Sequence, residues 1–344
     1  MDEIPFISAM IVVRNEEKYI GKCFRSLLEQ SYPVDKYEIL IIDGMSEDST
    51  LVIAKKIEER YGFREVEDSK GKVSTTKVQV HYLENPKKIL AVGWNIGIKN
   101  AKGDYVVRID AHGYAHRDFL LNSMKTMLKL GDAVCVGGAM QSEAISEKGE
   151  IIANILSSPF GVGNAKFRYS KKAEYVDTVA FGLYKKEIFS KVGYFDETLK
   201  RNQDNDMHRR IREVGGKFFL NPEIKSTYHP RDTVKDMLKQ GFQNGRWNII
   251  TFKNGKKSLS LRHLIPLFFV LGILGCGIMG FLFYQLWVLL VSVLAFYLAL
   301  GLVFSLKKTR KLKQVLVMPF LFLLFHILYG MGSLISIFNC GGKN

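Results

Sequence analysis

Tyr105-Val106-Val107-Arg108-Ile109-Asp110-Ala111-His112 reads as a short buried strand, Tyr105 to Ile109, that ends in a carboxylate and an imidazole. The same form occurs three times upstream. Ile7 to Val13 is a run rich in branched residues that stops at Arg14, and Tyr37 to Ile42 stops at Asp43-Gly44. Val78 to Leu83 reads as a third strand. Helical patterns separate them. Asn15-Glu16-Glu17 opens one that runs to Leu28 with Ile20, Phe24, Leu27 and Leu28 on one side. Ser46 or Asp48 caps a second carrying Leu51, Ile53, Ala54 and Ile57, and a third covers Leu90 to Asn100. The polar stretch Arg64 to Lys77 is expected to be a loop or hairpin. Alternation of strand and helix predicts an α/β, Rossmann-like, mostly parallel sheet with helices on both faces. Ligands of such sheets bind at the carboxyl ends of the strands, where Asp43 and Asp110 fall.

A chain of 344 residues can bury a full-sized core and holds at most two or three domains. Its apolar content is unevenly placed. Up to about Lys257 charged and apolar residues are mixed, whereas Leu264 to Phe338 is almost entirely apolar. The net charge of +15 is concentrated in part beside the apolar segments, at Lys253-Asn254-Gly255-Lys256-Lys257 and Lys307-Lys308-Thr309-Arg310-Lys311-Leu312-Lys313. These clusters lack the interleaved aromatics of a nucleic-acid groove and suit an anionic membrane face. Cys23, Cys135, Cys276 and Cys340 have no zinc-like spacing, consistent with a reduced cytoplasmic setting for the soluble part. No glycine-rich fingerprint follows the first strand and no P-loop occurs, which argues against a nicotinamide dehydrogenase and a P-loop NTPase.

The acidic start Met1-Asp2-Glu3 does not read as a signal peptide, so membrane attachment is expected from the C-terminal part. Residues 264–283, 286–306 and 315–338 are each about long enough to cross the ~30 Å hydrocarbon core. The expected organisation is a soluble α/β domain over 1–232, an amphipathic interfacial region over 233–258, and a membrane domain over 259–344 with those three transmembrane helices. Lysines and arginines before the first span and between the second and third place the soluble domain in the cytoplasm, as part of a multi-pass protein of the cell (inner) membrane.

Three groups of residues carry chemistry. Asp110 and His112, two apart at a strand end, supply oxygen and imidazole ligands to one divalent ion if the chain turns there. Gln203-Asp204-Asn205-Asp206 precedes a helical run, Met207 to Val214, whose N-terminus favours carboxylates. Either acid caps that helix or serves as a general base. Gln243-Asn244-Gly245-Arg246-Trp247 follows an apolar stripe of Val234, Met237, Leu238 and Phe242. The stripe suits a helix lying on a membrane, with Arg246 available to a diphosphate or carboxylate and Trp247 to a sugar ring.

Taken in order, Val13-Arg14-Asn15-Glu16-Glu17, Ile42-Asp43-Gly44-Met45-Ser46-Glu47-Asp48-Ser49-Thr50, Asp110-Ala111-His112, Gly193-Tyr194-Phe195-Asp196-Glu197 and Arg201-Asn202-Gln203-Asp204 resemble a family 2 glycosyltransferase of the GT-A nucleotide-diphospho-sugar transferase fold. The resemblance runs from about Ile7 to Trp247 and is strongest to bacterial exopolysaccharide enzymes of the succinoglycan glucosyltransferase type. It implies a nucleotide-sugar donor, usually a UDP-sugar, a Mg²⁺ or Mn²⁺ ion, and inversion at the anomeric carbon. It also implies that Arg14, Glu16 and Asp43 lie around the nucleoside and that Asp110 matches the first aspartate of the D-x-D motif. Asp204 matches the general base, and Gln243, Arg246 and Trp247 match the Q-x-x-R-W motif of processive synthases. His112 in place of the second aspartate, Gln203 in place of a glutamate, and Gly44 in place of an aspartate depart from the pattern.

The expectation is a membrane-bound, metal-dependent, inverting glycosyltransferase. It would move one sugar to a lipid-linked or polysaccharide acceptor in exopolysaccharide or cell-surface glycan synthesis, with no nucleic-acid partner. The alternatives are a processive polysaccharide synthase, which normally carries more than three spans, and an inactive nucleotide-sugar-binding membrane scaffold. A transporter is a weaker rival, because His326 is nearly the only ionisable residue of the spans.

Overall fold

The computed structural model describes residues 4–67, 71–144, 146–163, 165–230, 233–253 and 261–338, which form two compact units. The first comprises Met1–Gln141 and Ser170–His229; the second comprises Ser142–Tyr169 and Pro230–Asn344. The chain therefore leaves the first unit once, for residues 142–169, before its final departure after His229. The second unit thus takes up a stretch of the 1–232 span read from sequence as one domain.

Along the chain the first unit begins with β1 (Ile7–Val13), α1 (Ile20–Leu28), β2 (Tyr37–Asp43), α2 (Thr50–Tyr61), β3 (Phe63–Glu67), β4 (Val73–Lys77) and β5 (Gln79–Glu84). It continues with α3 (Leu90–Asn100), β6 (Tyr105–Asp110), β7 (Gly113–Ala115), α4 (Phe119–Leu130), β8 (Ala133–Gly138) and β9 (Met140–Ser142). After α5 (Glu147–Leu156) and α6 (Pro159–Val162) of the second unit, the chain returns as β10 (Glu174–Val176), β11 (Ala180–Lys185), α7 (Ile188–Val192), α8 (Gln203–Glu213), β12 (Lys217–Leu220) and β13 (Ser226–Tyr228).

Eight strands form one sheet in the order β10-β12-β8-β11-β6-β1-β2-β5. The four strands read from sequence, β6-β1-β2-β5, are parallel neighbours. β11 runs antiparallel to β6 and β8, and β10 runs antiparallel to β12. Strands buried on both faces explain the near-continuous apolar runs: every residue of β2 is buried. The 64–77 stretch is the antiparallel hairpin β3–β4. A separate three-stranded sheet, β7-β13-β9, lies in sequence just beyond Asp110 and His112.

At the amino end of the strands sits a fully buried carboxylate, Glu38. Its Oε1 accepts hydrogen bonds from Ser8 Oγ at 2.6 Å and from the Lys102 amide at 2.7 Å. Ser8 Oγ in turn accepts from the Gly103 amide at 2.9 Å, and His81 Nε2 lies 3.4 Å from the second Glu38 oxygen. A buried acid is tolerable there because its partners are fixed by strand register.

The second unit contains α5 and α6 together with α9 (Val234–Lys253), α10 (Leu261–Met279), α11 (Gln285–Lys308) and α12 (Leu312–Phe338). Ile151, Ile152 and Ile155 of α5 share a core with Met237 of α9 and Met318, Phe322 and Phe325 of α12. The α9–α12 contact depends on glycine: a Cβ on Gly245 would fall 1.9 Å from the Tyr329 carbonyl oxygen, and one on Gly332 would fall 2.1 Å from that of Phe242. Polar side chains fasten α5 to the connection between α11 and α12. Glu150 accepts from Lys311 Nζ at 2.6 Å and from Gln314 Nε2 at 2.9 Å, and Lys308 Nζ donates to Ser157 Oγ at 3.0 Å.

By length and composition, α11 and α12 are sufficient to cross a membrane. The helix of the first expected span, α10, is the shortest of the three. It ends at Met279 rather than Phe283, and its apolar part among the described residues is His263–Met279. Pro266 lies inside that helix. His326 Nδ1 and Tyr297 Oη are hydrogen-bonded at 2.6 Å, and His326 Nε2 lies 3.3 Å from the Gly161 carbonyl oxygen. The lysines at 256 and 257 and Cys340 fall outside the described residues.

Candidate active site

Register brings the carboxyl ends of the parallel strands together. Val13 pairs with Asp43, Val12 with Asp110, and Asp43 with Glu84, so the segments after β1, β2 and β6 emerge side by side. Asn15 and Met45 both adopt positive φ (55° and 58°), which turns the first two segments toward each other. The Asn15 amide donates to Ser46 Oγ at 3.0 Å, and the Glu47 amide donates back to Asn15 Oδ1 at 2.9 Å. The Glu16 amide donates to Thr50 Oγ1 at 2.8 Å, and the Ser49 amide donates to Glu17 Oε2 at 3.1 Å. This use of Asn15 is why the first helix begins at Ile20 rather than at residue 15.

Asp43 is buried and already engaged: its carboxylate accepts from Ser46 Oγ at 2.6 Å and from the Ser46 amide at 3.1 and 3.2 Å. Arg14 is exposed beside it. Gly44 fits a close approach. Its amide donates to the Val13 carbonyl at 2.8 Å, and a Cβ there would lie 3.2 Å from both Arg14 Cβ and Val13 O. The departure from the family pattern at residue 44 thus coincides with a crowded backbone.

A second corner is formed by β6, α3, α8 and the segment after α7. Arg108 is buried on β6, its guanidinium 5.2 Å from the Trp94 ring centroid and 5.6 Å from that of Phe195. Its Nη1 forms an ion pair with Asp204 Oδ1. Burial works to raise the Asp204 carboxyl, but the Arg108 guanidinium outweighs it and holds that group below its ordinary value. Asp204 nevertheless keeps 42% of its side chain exposed, so it remains reachable. Asp110, two residues beyond Arg108 at the rim, is displaced the other way: burial raises its carboxyl, the charges of Asp204 and Glu16 add to this, and His112 and Arg108 oppose it. His112 Nδ1 lies 3.8 Å from Glu16 Oε1, and its ring meets Tyr228 edge-on at 4.9 Å. Glu16, Arg108, Asp110, His112 and Asp204 therefore form one electrostatic neighbourhood.

Helix α8 begins at Gln203, earlier than the run from Met207 read from sequence, with Asn202 as its N-cap at φ 61°. Asp204 and Asp206 both lie in its first turn but serve different ends. Asp206 is completely buried and pairs with Arg209 at 3.1 Å and Arg210 at 2.9 Å. Arg210 donates to the carbonyls of Val192, Gly193 and Tyr194, so Asp206 fixes the Gly193–Glu197 segment. The other side of that segment is held by Asn95, whose Nδ2 donates to Phe195 O at 2.9 Å and to Glu197 Oε1 at 3.1 Å. His208 is buried between Thr178 Oγ1 and Tyr184 Oη, 2.7 Å from each; burial lowers its pKa to about 3, so it is neutral. Gln203 is buried, and its Oε1 makes no hydrogen bond among the described residues.

Arg14, Glu16, Asp43, Asp110, His112 and Asp204 thus lie in the first unit. Gln243, Arg246 and Trp247 lie on α9 in the second unit, all partly buried. Sequence reasoning missed Arg108, Trp94 and Phe195 as site residues. The available signal was an arginine inside the otherwise apolar run Tyr105 to Ile109, because a buried guanidinium needs a carboxylate.

The family model for glycosyl transferase family 2 matches residues 8–193, more than half of the chain. The chain belongs to glycosyl transferase family 2. It is 30% identical over 335 residues to a Methanococcus voltae protein, dolichyl N-acetyl-alpha-D-glucosaminyl phosphate 3-beta-D-2,3-diacetamido-2,3-dideoxy-beta-D-glucuronosyltransferase, covering 95% of each. It is 27% identical over 271 residues to the succinoglycan biosynthesis protein ExoA of Rhizobium meliloti (strain 1021), covering 77% of this chain and 76% of the relative. The family assignment and the resemblance to succinoglycan-type enzymes are therefore both supported by relatives. In fold, this family 2 chain resembles a mannosyltransferase from Pyrobaculum calidifontis, solved with GDP-Man and Mn²⁺. The TM-score is 0.60 at 14% identity, over 99% of this chain and 89% of the other.

Proposed function

We propose that this family 2 glycosyltransferase moves a sugar from a nucleotide-sugar donor to a lipid-linked phosphosugar acceptor, with inversion at the anomeric carbon. The observation that carries the proposal is the Arg108–Asp204 pair, which draws the carboxylate at the start of α8 to the strand that ends in Asp110. A lipid-linked acceptor is favoured by the Methanococcus voltae relative, whose name specifies a dolichyl sugar phosphate.

Asp204 is assigned as the general base. It stays ionised because of Arg108 and keeps an exposed oxygen for the proton of an acceptor hydroxyl. Arg14, Glu16 and Asp43 are assigned to the nucleoside side of the donor, where the interlocked segments after β1 and β2 give a rigid wall. Asp110 and His112 would hold a divalent cation, Mg²⁺ or Mn²⁺, which when bound neutralises the diphosphate leaving group. The carboxylate oxygen of Asp110 and the imidazole of His112, two residues apart where β6 ends, are donors that suit such a cation. No cluster of three or more acidic, imidazole or thiol groups that could hold a metal occurs among the described residues, so donor oxygens would complete the coordination. Gln243, Arg246 and Trp247 are assigned to the acceptor's phosphate and sugar.

Membrane residence is proposed from α11 and α12, with the connection between them on the cytoplasmic face. That connection and the helix ends beside it carry Lys307, Lys308, Arg310, Lys311 and Lys313. Exposed Val288, Val291 and Phe296 give α11 a surface that suits lipid better than water. The test is release of nucleoside diphosphate by the detergent-solubilised protein across a panel of nucleotide sugars, with and without membrane lipid extract. Release of one diphosphate that EDTA abolishes supports the proposal. Silence with lipid extract present overturns it in favour of a donor-binding scaffold.

A further inference from the structure

The first unit contains a cavity of about 620 Å³ to which none of the proposed donor, metal or acceptor residues contributes. Its lining is strongly cationic: Lys22 and Arg25 from α1, Arg64 from β3 and Arg117 after β7, against a single acid, Glu29. Lys22, Arg25 and Glu29 are spaced by three and four, which puts them on one face of the helix. Three of the four cations are held in place by contacts of their side chains. Arg64 Nη1 donates to the carbonyls of Leu28 and Gln30, both at 2.8 Å. The Lys22 ammonium sits 3.9 Å from the centroid of the Tyr114 ring, and the Arg25 guanidinium sits 4.2 Å from that of Tyr61. Glu29 is spent on Arg25, at 3.0 Å.

The wall behind them is stapled. Ser26 Oγ accepts from the Ala115 amide at 3.0 Å, and the Ser31 amide donates to the Arg117 carbonyl at 2.8 Å. The fully buried Gln30 donates to the carbonyls of Ser26 and His116 and accepts from the Leu120 amide. Helix α1 and the segment carrying Arg117 are therefore fixed relative to each other before any ligand arrives, the condition for binding an anion without ordering cost.

We propose that this cavity is a second anion site that takes a phosphate monoester or diphosphate group. Four cations against one paired acid leave a formal excess of three positive charges, which a multiply charged phosphate matches better than a single carboxylate. Three of the four are arginines, whose planar donor fork fits phosphate oxygens. The group arrives either on a lipid head or on a free sugar phosphate, and one titration separates the two.

The full chain in detergent is titrated calorimetrically with inorganic pyrophosphate in EDTA, which disables a metal-dependent donor site. Wild type and Asp110→Asn are expected to bind alike, and the double variant Lys22→Gln/Arg117→Gln is expected to bind at least tenfold more weakly. Equal binding by the double variant, loss of binding in Asp110→Asn, or no binding by wild type overturns the proposal. Because both substituted side chains are exposed, misfolding is not expected, and an unchanged melting temperature checks this. Displacement of bound pyrophosphate by dihexanoyl phosphatidic acid alone assigns a lipid head group, and displacement by glucose 1-phosphate alone assigns a soluble one. Displacement by both assigns the phosphate itself, and displacement by neither overturns the assignment. No readout requires turnover, so a failed transfer reaction leaves this test intact.

Discussion

The two ends of the parallel strands use the same chemical group in opposite ways. At the amino end, Glu38 is fully buried: one carboxylate oxygen accepts from Ser8 and the Lys102 amide, and the other makes no hydrogen bond among the described residues and lies 3.4 Å from His81 Nε2. At the carboxyl end, Asp204 is held by one buried guanidinium and left partly open, while Asp110 is pushed toward its neutral form by burial. A carboxylate sealed inside the sheet, with one oxygen held by fixed donors, contributes to the fold and is out of reach of a substrate. One that is oriented by a single partner and still exposed can exchange that exposure for a ligand. Asp206 repeats the first pattern within one turn of Asp204, saturated by Arg209 and Arg210.

The sharpest way to break this contrast is Asp204→Asn. Turnover should fall about 10³-fold, the usual scale for losing a general base, with donor affinity little changed, measured as kcat against donor KM. Normal turnover would remove Asp204 from its assigned role. Asp110→Asn should cost about 100-fold in kcat/KM and blunt the response to added Mn²⁺, read from metal titrations of donor hydrolysis. An unchanged metal titration would dissociate Asp110 from the cation.

Arg108→Gln sharpens the comparison through pH. Arg108 lowers the Asp204 pKa, so the base form persists to lower pH than for an ordinary carboxylate. Without the guanidinium, burial dominates at Asp204, and the acid limb of kcat/KM should move to higher pH. Arg108→Lys should restore most of the wild-type profile. The stability contribution of the pair has the matching sign: present above the unfolded carboxyl pKa, and lost as pH falls through the lowered folded value.

Glu38→Ala is the mirror experiment at the amino end. It orphans Ser8 and the Lys102 amide and should cost about 1–3 kcal/mol in urea unfolding while leaving kcat intact. A kcat loss larger than the stability loss would mean that the two ends are coupled. The smallest effect is expected from Gly44→Ala, whose added Cβ meets contacts at 3.2 Å. Donor KM should rise no more than about threefold, with stability changed by under about 1 kcal/mol.

Much of the first unit is legible as sequence because a strand buried on both faces must be an unbroken apolar run. Ile7–Val13, Tyr37–Asp43 and Tyr105–Asp110 announce themselves, and the residues that end them mark the rim. Helix Leu90–Asn100 is read to its ends from its pattern. Starts governed by side-chain partners are less visible. Asn15 delays α1 because it bonds to the segment after β2, and α8 starts early because Asn202 takes a left-handed conformation. In the membrane-like part, hydropathy marks apolar segments but not where a helix stops, so the first expected span was read to Phe283 where its helix ends at Met279.

The sequence by itself determined the α/β class, the family, and which acids stand at strand and helix ends, because periodicity and motif order are local properties of the chain. Only the tertiary structure decided that Arg108 pairs with Asp204 across 96 positions, that Asp206 is structural, and that residues 142–169 join the C-terminal helices. Each of these depends on which side chains meet after the chain has folded back on itself. A buried charge selects its partner by proximity in space, and spacing along the chain carries no record of that choice.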